Sequence, residues 1–443
     1  MSESENLQAK NPDHTIKAEP VNRKDRIISL DVLRGVALLG ILVMNILAFA
    51  LPYRAYNNPT IAGGDKGADL IYWLISFILV EGKMRALFSL LFGASVILLT
   101  SKEEKYGSGS MADIYYRRIL WLLLFGVVHA YIFLFPGEIL YAYAVCGLFL
   151  YPFRKLEGKW LIRIGMFVLA ILAFKNIFET NEIHSLSKRS VTIDSLETAG
   201  IKLTEDQIND KETWNEIVNY IKPDSAAIEK EIHNKRSGYF TILTELTPLV
   251  TKMQSRKFYL YLIWDTIGMM LIGMGMIKLG ILSGRRKKIY YILIAVLGYG
   301  LGILINYFEG INLIDAGFSI EQYYVSYYTY DLRRLLIVIG HIGLILFIYK
   351  SGVLRILLDS LASIGQTALS NYILQTIICL FLFYGFGLGL FGKLSRFELF
   401  YFTLAIWTFQ LVASSIWLRY FQMGPLEWLW RSLTYVKKQP MRK

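Results

Sequence analysis

Apolar runs of roughly 17 to 25 residues recur along this chain, each long enough for a helix to cross ~30 Å of hydrocarbon. No other feature restricts the fold as much. In lipid, every backbone N–H and C=O must be satisfied within its own segment, so the runs read as helices. A membrane barrel would show alternating segments of about ten residues instead. Of the 443 residues, 54% are hydrophobic and 19% charged, less charge than a soluble domain carries. The expected fold is an all-α polytopic membrane bundle of about ten transmembrane helices, with an extracytoplasmic, partly helical insert.

The formal charge of +12 is placed as a membrane protein places it. Lys and Arg gather in short clusters beside the apolar runs, the positive-inside pattern. Neither a basic face nor an aromatic platform for bases is present, so nucleic acid is excluded and the bilayer is the expected partner. Spans are expected at 27–51, 69–100, 119–135, 139–153, 160–178, 258–282, 289–307, 332–349, 367–391 and 397–417, with both termini cytoplasmic. The second is interrupted by Glu81-Gly82-Lys83-Met84-Arg85 and reads as a broken helix, or a re-entrant piece plus a span.

The expected organisation is a disordered cytoplasmic arm (1–26), a five-span half (27–178), the insert (179–256), a second five-span half (257–420) and a cytoplasmic tail (421–443). In that tail Trp428, Trp430 and Tyr435 beside Arg431 suggest a short interfacial helix. Two cysteines, Cys146 and Cys379, sit in apolar runs, and no histidine pair has zinc spacing, so no metal is expected.

Ionisable groups inside spans are costly and by default mark function. His129, His341, Glu81 and Lys83 fall near the middle of three different helices, where a shared cluster is possible. Imidazoles suit proton transfer near neutrality. Each also has a bland reading: a histidine bonded to a backbone carbonyl or bridging helices, or a Glu81–Lys83 pair that tolerates a helix break. Asp31 and Arg34, three apart, form either a local pair or an anion site at a cavity mouth. Asn45 either holds a carbonyl oxygen or bonds a neighbouring helix, and Glu138 reads as a helix start after the Pro136-Gly137 turn.

Several strings resemble one bacterial family. They are the stretch 26–40, opening at Arg26 and carrying Asp31, Arg34 and Gly35, with Asn45 beyond it; Glu81-Gly-Lys-Met-Arg-Ala-Leu-Phe (81–88); Arg117-Arg118 with Phe125-Gly-Val-Val-His129; and Gly137-Glu-Ile-Leu-Tyr (137–141). Gly365-Gln-Thr-Ala-Leu-Ser-Asn-Tyr (365–372) and Gly424-Pro-Leu-Glu-Trp-Leu-Trp-Arg (424–431) complete the set. Together they resemble the YeiB-like membrane proteins, the domain-of-unknown-function 418 family, across nearly the whole chain. That family has an Asp where this chain has Glu138. Its N-terminal half is similar to transmembrane acyltransferases of the heparan glucosaminide N-acetyltransferase type. These share the Asp-x-x-Arg-Gly start and a later Asn, and use a histidine after the first helix that is missing from 52–68 here.

The resemblance implies a multi-pass protein of the bacterial inner membrane. It also implies acyl transfer from cytoplasmic acyl-CoA, as co-substrate, to an extracytoplasmic glycan or other envelope acceptor. His129 would be the general base and Asn45 would polarise the acyl carbonyl, with Glu81 a further catalytic candidate. Asp31, Arg34, Lys83, Arg85, Arg117, Arg118, Glu138 and His341 are the binding candidates. A proton-coupled transporter using His129, His341 and Glu81 as a relay is the competing expectation. A scaffold whose insert binds a partner is the third.

Overall fold

The computed structural model describes residues 26–101 and 107–443. The expected N-terminal arm up to residue 25, and Lys102 and Lys105, lie outside the described residues. Among these the named elements are all helical, and the lone bridge joins Phe421 to Arg442.

At the centre stands α1 (Ile28–Ala50), buried on nearly every side. The interrupted second stretch is α2 (Gly67–Leu79) and α3 (Lys83–Thr100). They part at Gly82, whose φ of 71° is open to glycine because it has no Cβ to clash. A shorter hairpin follows, α4 (Ser108–Tyr131) and α5 (Leu140–Leu150), turning at Pro136-Gly137. Next comes α6 (Gly158–Thr198), 41 residues long, then α7 (Glu205–Ile221), α8 (Ser225–Lys235) and α9 (Tyr239–Lys252). α9 runs through the π-helical turns Met253–Leu262 into α10 (Ile263–Lys278). The rest comprises α11 (Lys288–Asp315), α12 (Ile320–Val325), α13 (Tyr327–Ser351), α14 (Arg355–Gln366), α15 (Ala368–Phe383), α16 (Glu398–Tyr420) and α17 (Pro425–Tyr435).

Seven of the described helical segments are long and apolar enough to cross a membrane, and the bent pair α14–α15 makes up to eight. The expected third and fourth spans are the α4–α5 hairpin, in which α5 has only 11 residues. The expected ninth span, 367–391, is corrected. Its helix ends at Phe383, and 384–391 folds back through Leu388 N–H to Phe381 O (2.7 Å) and Phe391 N–H to Phe383 O (2.9 Å). Before it, α14 meets α15 at 85° and lies against α1. That contact is backbone to backbone: a Cβ on Gly35 would stand 2.0 Å from Leu361 O, and one on Gly365 1.9 Å from Asp31 O. The approach delivers the start of α15 to the Asp31–Arg34 end of α1.

The insert, 179–256, is helical and packs on the bundle. Its helices are continuous with α6 and α10, and it is stitched to the end of the bundle opposite Arg34. Tyr53 N–H donates to Glu231 (2.9 Å), Tyr239 O–H to Ile132 O (2.9 Å) and Arg236 Nε to Phe391 O (2.8 Å). Ile242 and Leu246 of α9 belong to the main apolar core.

Candidate functional site

A cavity of about 380 Å³ opens at the Arg34 end of the bundle. Its mouth carries four guanidinium groups, Arg26, Arg34, Arg118 and Arg431, and two carboxylates, Asp31 and Glu427. Both carboxylates are already engaged. Asp31 accepts from Arg26 (3.0 Å) and Arg34 (2.9 Å). Glu427, reaching from α17, accepts from Leu369 N–H (2.6 Å) and Ser370 N–H (3.2 Å) and so caps α15. Burial pushes the Glu427 carboxyl above its ordinary range. The mouth therefore keeps an excess of positive charge, suited to an anion. Arg118 lies 3.8 Å from the Trp430 ring centre, whose indole N–H donates to Arg118 O (2.8 Å), and Arg34 also reaches Ser95 Oγ (3.0 Å). Arg117 is not brought to the cavity; it pairs with Asp113 on the surface (2.5 Å).

Inward, the walls turn apolar with Phe88, Phe92, Leu122 and Leu140, and end at Tyr143 and Tyr372. Behind Tyr372, edge-on with its ring centre 4.9 Å away, is fully buried His129. His129 Nε2 lies 2.8 Å from Thr376 Oγ1, on α15, and Nδ1 lies 3.6 Å from Glu138 Oε1. If Thr376 donates to Nε2, the proton sits on Nδ1, facing the carboxylate; this tautomer is assigned from the two contacts. Glu138 is held in place because it also caps α5, accepting from Leu140 N–H and, at 2.7 Å, Tyr141 N–H. Two buried polar atoms here, among the described residues, make no hydrogen bond: His129 Nδ1 and Gln375 Oε1. Asn45 is half-buried, and no hydrogen bond to its side chain is found among the described residues.

The expected cluster of His129 with His341, Glu81 and Lys83 is not assembled. The break between α2 and α3 releases the last carbonyls of α2, which need donors. His341 Nε2 meets Leu79 O at 2.8 Å, and Lys83 Nζ, fully buried, meets Phe77 O. Since Nε2 must donate to a carbonyl, Nδ1 accepts from Tyr299 O–H (2.7 Å), and both ring nitrogens of His341 are committed. Glu81 forms no ion pair with Lys83 among the described residues. Arg85 bonds Asp265 (2.9 Å), which also pairs with Arg334; Arg334 in turn reaches Asp331 (3.0 Å). Tyr143 is the link between the two regions: it lines the cavity and donates to Arg85 O (3.2 Å).

Sequence reading missed Thr376, Tyr372, Asp265 and Arg334. Asp265 was legible as a carboxylate inside an apolar run. Thr376 was not, because its partner lies 247 positions away.

Residues 276–437 match a family model described as a protein of unknown function, DUF418. The chain is 30% identical to the uncharacterized protein YeiB of Escherichia coli K12, over 93% of this chain and 96% of that one. The chain belongs to the YeiB-like DUF418 family. It is also 28% identical to the uncharacterized protein YxaH of Bacillus subtilis, over 96% of this chain and 98% of that one. No solved structure matches. In this YeiB-like protein the DUF418 match contains Thr376, Tyr372, Glu427 and Arg431, whereas Arg34, His129 and Glu138 precede it. The site is thus built from both halves of a bacterial-type membrane protein.

Proposed function

We propose that this protein transfers an acyl group from a cytoplasmic acyl-CoA to a hydroxyl or amine on an extracytoplasmic glycan or other envelope acceptor, across the inner membrane. The observation that carries this reading is the cavity: cationic at its mouth, apolar inside, and ending at the Tyr372 ring that covers His129. Its volume falls within the range of small-ligand clefts, roughly 300–1,000 Å³. The positive-inside rule assigns the arginine-rich mouth, and both termini, to the cytoplasm. CoA phosphates would bind Arg26, Arg34, Arg118 and Arg431, leaving the pantetheine arm and thioester to point inward. His129, with the Glu138 carboxylate 3.6 Å from its Nδ1, is the general base, and the amide of Asn45 is available to hold the acyl carbonyl.

A proton-coupled transporter is the weaker reading. Its relay would need His341, and both nitrogens of that ring are taken.

The test is isotope-labelled acyl-CoA of several chain lengths, given to the purified protein with and without envelope extract. The expected result is CoA release and label in an envelope fraction. Arg34→Ala should weaken acyl-CoA binding more than it slows turnover, because a phosphate contact acts mainly on the ground state. Failure of every acyl-CoA to bind or release CoA would overturn the proposal.

A further inference from the structure

We infer that Thr376 carries the acyl group as a covalent ester between donor and acceptor, so that transfer proceeds in two half-reactions. This rests on the acyl-transfer reading above.

Three observations converge on Thr376. The first is its hydroxyl. Threonines inside helices here usually return the hydroxyl to the carbonyl one turn back, as Thr100, Thr403 and Thr408 do at 2.8–2.9 Å. Thr376 instead turns to His129 Nε2 at 2.8 Å, and Glu138 stands on the far side of the same ring. A hydroxyl, an imidazole and a carboxylate in series are what an activated oxygen nucleophile requires. The second is the unpaired Gln375 Oε1, beside Thr376 on α15. A buried acceptor left without a partner is costly, and a reacting amine or hydroxyl supplies a donor.

The third is closure. Tyr372 separates the histidine from the cavity. Phe135, with its ring centre 5.6 Å from that of His129, stacks on Phe49 at 4.7 Å and closes another side. A direct transfer needs donor and acceptor together, hence an opening from both ends. An ester on Thr376 lets each come and leave in turn.

The chemistry balances. Thr376 Oγ attacks the thioester carbonyl as His129 Nε2 takes its proton. The new C–O bond forms, the C–S bond breaks, and the leaving thiolate takes the proton from Nε2. In the second half the acceptor hydroxyl or amine attacks the ester carbonyl. Nε2 takes that proton and returns it to Thr376 Oγ as the C–O bond breaks. Glu138 remains a carboxylate and steadies the imidazolium in each half.

The experiment uses the full-length protein in lipid nanodiscs, with acetyl-, butyryl- or palmitoyl-CoA and no acceptor. It is quenched in acid, and intact mass and peptide mapping are read. A mass gain of one acyl group on the peptide containing Thr376 is expected, with a matching burst of CoA. Thr376→Ser should keep the adduct. Thr376→Val should lose it and slow transfer to envelope acceptors by roughly 100-fold or more, with acyl-CoA affinity within about twofold of wild type. Wild-type transfer by Thr376→Val, or an adduct on another residue, would overturn the relay and leave acyl transfer standing. No CoA release from wild type with any donor, with or without extract, would remove both.

Discussion

Two intramembrane histidines look alike in the sequence and are used in opposite ways. Around His341 the polar atoms are matched: a carbonyl freed by the helix break takes one ring nitrogen and Tyr299 the other. The neighbouring carboxylates are matched as well, Asp265 by Arg85 and Arg334, Asp331 by Arg334 and by Asn176 at 3.1 Å. Thr266 Oγ1, Glu309 Oε2 and the guanidinium Nε atoms of Arg333 and Arg334 are left over there. Around His129 the ring holds one hydrogen bond, its Nδ1 and Gln375 Oε1 have none, and a cavity ends one aromatic ring away. A ring with both nitrogens committed and carboxylates locked in ion pairs mark a region that holds the bundle together. Incomplete pairing beside a cavity marks a region prepared for a ligand.

His129→Gln is the largest expected break in that contrast. Turnover should fall by a factor of roughly 10² to 10⁴, typical of a positioned general base, with the melting temperature little changed. A variant that melts early but retains turnover would place His129 with His341 instead. Next in size is Asp265→Ala, which leaves the buried Arg334 and the partly buried Arg85 without their shared carboxylate. A loss of about 3–5 kcal/mol is expected, read as reduced membrane accumulation and a lower melting temperature in detergent. A stable Asp265→Ala protein with no turnover would show the charged region to be chemical rather than structural. His341→Leu should cost about 1–3 kcal/mol, because Leu79 O and Tyr299 lose a partner, and should leave turnover per folded molecule within about twofold.

The smallest effect concerns the insert. Burial pushes the Lys235 ammonium down to about 8, although Glu245 and Glu231 nearby pull it up. A lysine depressed from 10.5 in the folded state costs stability while it is charged. Its docking should therefore tighten as pH rises through about 8 towards 10.5, seen as larger hydrogen-exchange protection factors in α8 once the base-catalysed intrinsic rate is divided out. Lys235→Met should flatten that dependence.

Most of the architecture was legible because lipid leaves so few choices. Twenty apolar residues must be a helix, and Glu81-Gly82-Lys83 inside such a run must interrupt it. Continuity was harder to see. Nothing between Phe178 and Thr198 stops a helix, and α6 runs on; Pro248 fails to stop α9. The Gly385, Gly387 and Gly389 alternation did signal a turn, yet hydropathy alone carried the ninth span through it. His129 and Glu138 were legible as candidates from their types and depth. Their union with Thr376, and that of Asp265 with Arg334, depends on which helices pack together, and local pattern is silent on that.

α6 and α9–α10 leave the membrane region as unbroken rods. At 1.5 Å per residue the 41 residues of α6 reach about 61 Å. Along the second rod the wider π turns at Met253–Leu262 lie between α9 and Asp265, the third residue of α10. The helices of the insert and the Asp265–Arg334 pair inside the bundle are thus joined along one helical path.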